Sequence, residues 1–307
     1  MLMLALLMPG QGSQTPGMLE PWLNDETRQE LSKWSLQIDL DLERLGTSAS
    51  SDEIKDTANA QPLIVATSLI SAKLLAISNF KIVAGHSVGE IAAVALSGVL
   101  SETQALQLVR ARGLAMAKAA SQSNTGMAAV LGGEKSEVLK TLSEFGLIAA
   151  NDNGAGQIVA AGELSAIDKL IENPPNGSRV RALAVAGAFH TKYMQSATSE
   201  VSDFVTKLSP NDPKVQLLSN RDGQVVSSGT DAISRIVNQI ANPVRWDLCM
   251  QSLVELGVTG AIELAPAGTL AGLLKRAAAS IETFTLKSPD DIDAAKEFAQ
   301  RHNGYGG

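Results

Sequence analysis

The chain has 307 residues, 45% of them apolar and 4% aromatic, with three histidines, one cysteine and a formal net charge of -7. Such a length buries a large aliphatic core without disulfides or metals, and the lone Cys249 excludes a disulfide framework and suits a reducing, cytoplasmic setting. The negative charge argues against general affinity for nucleic acid or an anionic membrane, and so few soft ligands leave no basis for a structural zinc site; metal-free chemistry without a permanently bound cofactor is the expectation.

In chain order, residues 2–7 read as a buried strand, because the apolar run lacks a basic start and Pro9-Gly10 ends it well short of the roughly 20 residues of a membrane span or the pattern of a leader. The turn Gly10-Gln11-Gly12-Ser13-Gln14 follows it. Leu63, Ala66, Thr67, Ile70 and Leu74 share one face of a helix over 62–76, and Ile82-Val83-Ala84 forms a second strand feeding Gly85. Strand, helix, strand implies an α/β fold with a parallel sheet core.

A helix over 88–96 closes at Gly98, and Ser101-Glu102-Thr103-Gln104 has the form of a capping box opening a helix to about Ala119. From there strands at 127–131, 147–150, 157–161 and 180–185 alternate with helices at 135–144 and 165–171. This β-α-β-β-α-β order is that of a ferredoxin-like module, placed at 124–188 as an insert in a large domain made of 1–123 and 189–307. Further on come a helix over 194–208, a hairpin of 215–219 and 224–226 around Asp222-Gly223, a last core strand at 259–264, a helix after Pro266-Ala267-Gly268, and a tail at 301–307 that reads as disordered.

Gly85-His86-Ser87-Val88-Gly89 has the Gly-x-Ser-x-Gly form of a nucleophile elbow, in which a tight strand-to-helix turn lifts a serine hydroxyl out of the sheet. The competing reading is an ordinary serine N-cap. Serine needs a base at neutral pH, and histidine is the usual one. His302 falls in the tail and His86 is turned away by the elbow, which leaves His190, where the insert rejoins the large domain. No Asp or Glu stands out as its orienting acid, and a backbone carbonyl can hold the Nδ1 proton instead.

Winding the 102–118 helix puts Arg112 on the apolar stripe of Ala105, Leu108, Val109 and Met116, with Arg110 pointing away. A guanidinium facing the core needs an anion. That anion is either internal, such as Glu90 or Asp152, or a substrate carboxylate, which would make the acyl group a dicarboxylic half-ester. Gln11 lies in a glycine-flanked turn and is either a plain turn residue or, with Val88, a backbone N–H donor of an oxyanion hole.

Taken together, Gly10-Gln11-Gly12-Ser13-Gln14, Gln61-Pro62, Gly85-His86-Ser87-Val88-Gly89-Glu90, Arg110-Ala111-Arg112-Gly113, Gly126-Met127-Ala128-Ala129-Val130, Asn151-Asp152-Asn153, Gly187-Ala188-Phe189-His190 and Asn242-Pro243-Val244-Arg245-Trp246 resemble the malonyl-CoA:acyl carrier protein transacylases. The resemblance implies an α/β-hydrolase-like large domain with a ferredoxin-like insert. It also implies ping-pong malonyl transfer from malonyl-CoA to the phosphopantetheine thiol of acyl carrier protein, for fatty acid or polyketide synthesis. It gives Ser87 as nucleophile, His190 as base, the N–H groups of Gln11 and Val88 as oxyanion hole, and Arg112 as clamp for the malonyl carboxylate. The main-chain carbonyl of Arg245 would orient the histidine. Asn151 and Asn153 would line the pocket, and the bulk of Phe189 would disfavour a branched α-carbon. The chain departs from many relatives in having Ala265 before Pro266. A cytoplasmic monomer acting on a CoA thioester and an acidic carrier protein is expected, with Arg179, Arg181, Lys192, Arg221, Lys275 and Arg276 as candidate docking cations. The alternatives are a serine esterase or thioesterase and a catalytically silent partner of a larger synthase.

Overall fold

Leu4, Leu6 and Met8 of the first strand contact one hydrophobic core and Ala5 and Leu7 contact another, so alternate side chains of one strand serve both faces of the sheet it belongs to. The same split occurs in the second strand, where Val83 faces the first core and Ile82 and Ala84 the second. A strand buried on both faces reads as a continuous apolar run, which is why these two were visible in the sequence.

The computed structural model describes residues 2–303. Its strands are β1 (Leu4–Met8), β2 (Ile82–Gly85), β3 (Thr125–Gly132), β4 (Ile148–Asp152), β5 (Gln157–Glu163), β6 (Ser178–Ala182), β7 (Gln216–Leu218), β8 (Val225–Val226), β9 (Val244–Arg245), β10 (Gly260–Glu263) and β11 (Glu282–Thr285). The fold is α/β, with two sheets. The larger has the order β11-β10-β1-β2-β7-β8, parallel except for the β7/β8 hairpin. The smaller has the order β6-β3-β5-β4-β9, antiparallel through its first four strands, with β9 added in parallel beside β4. The helices Lys135–Glu144 and Leu164–Glu172 cover one face of this sheet through Val138, Leu142, Ile167 and Leu170. Its other face, through Met127, Val159 and Ala161, joins the core of the larger sheet.

Several expectations need correction. The strand at 259–264 is not the last, because β11 pairs with β10 at the sheet edge. The helix expected at 62–76 begins five residues earlier, at Thr57, where Asp56 caps it by accepting the Ala58 N–H at 2.7 Å. The fourth strand of the smaller sheet ends at Ala182, short of Val185. The tail is ordered as far as it is described: helix Ile292–Arg301 precedes His302, which is buried and meets Thr259 Oγ1 and Glu282 Oε2 at 3.0 Å each. Residues 304–307 of that segment lie outside the described residues.

The chain turns sharply where β2 meets the helix Gly89–Leu96, and glycine is required there. A Cβ on Gly89 would lie 2.2 Å from the Met8 carbonyl oxygen, and one on Gly85 would lie 2.0 Å from the Gly89 carbonyl carbon. Both contacts are with backbone, which cannot rotate away. Gly89→Ala is therefore expected to cost about 3 kcal/mol of stability, the upper part of the usual overpacking range, read as a lower urea midpoint at unchanged slope. An unaltered midpoint would show that the turn tolerates the methyl group.

Candidate active site

At the carboxyl end of β2, Ser87 adopts φ 52°, a left-handed conformation that costs a non-glycine residue roughly 1–3 kcal/mol and persists only where its surroundings enforce it. The enforcement is visible. Asn220, just past β7, accepts the Ser87 N–H on Oδ1 at 2.7 Å and donates from Nδ2 to the Gly85 carbonyl at 2.8 Å, clamping both sides of the turn. The Gly89 N–H donates to His86 O at 2.9 Å and the Glu90 N–H to Ser87 O at 3.0 Å. With Ser87, Gly89 and Glu90 so engaged, the Val88 N–H is the elbow donor left over.

His190 is the second residue of the site in left-handed backbone, at φ 60°. Its Nε2 lies 2.7 Å from Ser87 Oγ although 103 residues separate them in the chain. On the other side of the ring Nδ1 is 2.7 Å from the main-chain oxygen of Gln239. A carbonyl only accepts, so Nδ1 carries the proton, Nε2 is the bare nitrogen, and the serine hydroxyl donates to it. Burial, with the charge of Arg112 adding to it, pulls the His190 pKa down to about 3, so the ring is neutral at pH 7.

The orienting carbonyl is thus that of Gln239, not of Arg245. Gln239 ends the helix Gly229–Gln239, where the last carbonyls have no partner within the helix and are free to accept from an imidazole. Arg245 sits in β9 beside β4, and its guanidinium is held by Asp247 at 2.8 and 2.9 Å.

Arg112 is completely buried in the helix Glu102–Ala120, as its position on the apolar stripe required, while Arg110 reaches back to the Ala58 carbonyl at 2.9 Å. Neither Glu90 nor Asp152 lies within ion-pair distance of it among the described residues. Two glutamines hold it instead: Nη1 donates to Gln61 Oε1 at 2.7 Å and Nη2 to Gln239 Oε1 at 2.9 Å, and Nε has no partner among the described residues. Burial lowers its pKa to about 10, partly opposed by the charge of Glu90, so it remains a cation at pH 7.

Ser87 and His190 border a small cavity of about 70 Å³ with Gln11, Gln61, His86, Met116, Asn151 and Phe189 in its wall. Asn151 Oδ1 is buried there without a partner among the described residues. Asn153 is placed differently from expectation: its Oδ1 accepts from His86 Nε2 at 2.8 Å, so it holds a wall residue and is not itself in the wall. Gln11 is in the wall, with its side chain on Thr57 Oγ1 at 3.3 Å. Gln239 and Asn220 went unnoticed in the sequence. For Gln239 the available signal was one amide at the end of the stripe Ala232, Ile233, Ile236 and Val237, all buried.

The family model for the acyl transferase domain matches residues 6–297. The chain is 51% identical over 297 residues to the malonyl CoA-acyl carrier protein transacylase of Mycobacterium bovis, covering 95% of this chain and 98% of that one. The crystal structure of MCAT from Mycobacterium tuberculosis superposes with a TM-score of 0.92 at 50% identity, over 95% of this chain and 99% of that one. The malonyl-transacylase in a complex with its type II PKS acyl-carrier protein is also similar, at TM-score 0.90 and 27% identity over 96% of this chain and 99% of that one. With that identity spread over nearly the full length of both partners, the chain belongs to the malonyl CoA-acyl carrier protein transacylases, a family of acyltransferase enzymes.

Proposed function

We propose that this enzyme moves a malonyl group from CoA to the phosphopantetheine thiol of acyl carrier protein through an ester on Ser87. The observation that carries the reading is Ser87 Oγ 2.7 Å from His190 Nε2, with His190 Nδ1 on the Gln239 carbonyl and a buried Arg112 tied to the cavity wall through Gln61. The sequence similarity to transacylases and the fold shared with one bound to its carrier protein support the substrate pair.

In this mechanism His190 Nε2 takes the Ser87 proton as Oγ attacks the thioester carbonyl. The N–H groups of Gln11 and Val88 receive the developing oxyanion. The Gln239 carbonyl, at a helix C-terminus, favours the imidazolium that forms. Collapse returns the proton to the departing CoA thiolate, and the carrier thiol repeats the sequence in reverse. Arg112, fixed by its two glutamines, offers its free donor to the malonyl carboxylate. Asn151 and Phe189 shape the rest of the acyl site, and Asn153 contributes by steadying His86.

The finer architecture is read in the same way. The β6-β3-β5-β4 order with two helices on one face supports a ferredoxin-like insert at 124–188 in an α/β-hydrolase-like domain of 1–123 and 189–307, although β9 at Val244–Arg245 reaches across to extend the small sheet. Arg179, Arg181, Lys192, Arg221, Lys275 and Arg276 are all exposed and suit an acidic carrier; the net charge of -7 disfavours nucleic acid and anionic membrane as partners. Among the described residues no helix is long and apolar enough to cross a membrane. The enzyme is read as a cytoplasmic monomer with malonyl-CoA as substrate and no resident cofactor.

An esterase or thioesterase would use the same serine and histidine, and CoA release separates the two. Transfer predicts one enzyme equivalent of CoA released rapidly from malonyl-CoA, then sustained release only when holo acyl carrier protein is added. Sustained release with water alone would favour hydrolysis. The neutral His190 gives a further expectation: acylation by acetyl-CoA holds its rate from pH 8 down to pH 5, because a base titrating near 3 stays deprotonated throughout. A fall centred near the ordinary histidine value of about 6.5 would contradict the buried, depressed ring.

A further inference from the structure

Behind the reacting pair lies a carboxyl group that the mechanism does not use. Glu90, in the first turn of the helix Gly89–Leu96, is 3% exposed. Its Oε2 accepts from Gln239 Nε2 at 2.6 Å, and both of its oxygens lie 3.3 Å from the Asn220 N–H. Gln239 Nε2 is also 3.1 Å from Asn220 Oδ1 and 3.3 Å from the Ser87 carbonyl. The amide nitrogen of Gln239 therefore faces three acceptors, and its amide oxygen is left to face Arg112 at 2.9 Å. The main-chain oxygen of the same residue holds His190.

We infer that Glu90 is a positioning residue that locks the amide of Gln239 with its oxygen toward Arg112, so that the site's acyl selectivity depends on a carboxylate that never touches substrate. The inference rests on the transacylase reading. A carboxylate can only accept, which fixes which end of the Gln239 amide it meets. A neutral group at position 90 weakens that constraint, because Gln239 Nε2 loses its one charged and shortest acceptor and keeps only the neutral oxygens of Asn220 and Ser87. The amide of Gln239 is then held less firmly, and one of the two anchors of the guanidinium is weakened. The His190 contact is a backbone one and depends far less on this orientation. The predicted loss is accordingly one of malonyl recognition more than of base catalysis.

The charged and titratable groups facing Glu90 are Arg112, from the helix Glu102–Ala120, and Cys249, from the helix Trp246–Glu255. Arg112 favours the carboxylate, whereas burial pushes the Glu90 pKa up to about 7, a larger effect than the opposing hydrogen bonds and the Arg112 charge. Burial raises the Cys249 thiol well above its ordinary value, so it is neutral at pH 7. Glu90 is the carboxylate above its pKa and the carboxylic acid, able to donate, below it.

The test is the Glu90→Gln variant, nearly identical in shape, with acylation of Ser87 by malonyl-CoA and by acetyl-CoA measured in single turnovers. The malonyl-to-acetyl ratio is expected to fall about tenfold or more. In the parent enzyme the same ratio is expected to fall as pH drops below 7, and in the variant to be flat. Gln239→Leu, which keeps the carbonyl but removes the amide, should lower the ratio too, and combining it with Glu90→Gln should add nothing further. Equal loss of both acyl groups, an unchanged ratio, or additive losses in the double variant would overturn the positioning role. If Glu90→Gln fails to fold, the parent pH profile and Gln239→Leu still decide the matter. Absence of any Ser87 ester in the parent would instead sink the transacylase reading itself.

Discussion

His190→Ala is expected to slow acylation of Ser87 about a thousandfold or more, the upper part of the range for a positioned general base, which corresponds to roughly 4 kcal/mol of barrier. The size follows from geometry. Among the described residues the hydroxyl has one acceptor for its proton, Nε2 at 2.7 Å, and the ring has one anchor, the Gln239 carbonyl at 2.7 Å on the far nitrogen. Removing the ring leaves a serine at its ordinary, unreactive pKa and a carbonyl with nothing to orient. Stopped-flow detection of CoA release, on a variant whose unfolding midpoint matches the parent's, reads the effect. A loss of tenfold or less would mean that another group accepts the proton.

Arg112→Ala is expected to lower acylation by malonyl-CoA about a hundredfold while acylation by acetyl-CoA falls by less than tenfold. A hydrogen bond to a charged partner contributes roughly 1.5–3 kcal/mol, and its loss in a water-poor site falls at the upper end, near 2.7 kcal/mol. Acetyl has no carboxylate to lose. The side chain is completely buried with an unpartnered Nε, an arrangement that is costly unless an anion visits it. Equal losses for the two thioesters, measured in the same single-turnover assay, would assign Arg112 a purely structural role.

Ser87, His190 and Arg112 were legible in the sequence because each breaks a local pattern. Ser87 stands between two glycines where an apolar strand hands over to a helix; Arg112 interrupts an apolar stripe at helical spacing; and His190 remains once the other two histidines are set aside. The grounds for setting those two aside fared unequally. His302 is buried and hydrogen-bonded just past the last helix, but against Thr259 and Glu282 and away from the serine. His86 does turn from the hydroxyl, toward Asn153, yet it still forms part of the cavity wall.

What escaped was the layer that holds these residues. Asn220 reaches Ser87 across 133 positions and Gln239 reaches it across 152, and nothing in either local segment announces such partners. An amide on an otherwise apolar helix face is weak information until the sheet brings β7 alongside β2. Arg245 was a near miss of the same kind, since its own N–H donates to the Asn220 carbonyl at 2.8 Å and it lies close to the site without supplying the carbonyl that matters. In the fold, the long buried strands and the capped helix at Ser101 were readable, and that cap has its expected reciprocal bonds between Ser101 and Gln104. The edge strand β11 was not. Of its four residues one is exposed and three are half-buried, so it lacks the apolar run that marks β1 and β2.

The most direct test of the account is the site and fate of the acyl group. Brief exposure to malonyl-CoA, followed by intact-mass and peptide analysis, should find one malonyl ester, on the peptide containing Ser87, that disappears when holo acyl carrier protein is added and reappears on the carrier's phosphopantetheine. An unmodified Ser87, or an ester that the carrier does not discharge, would contradict it.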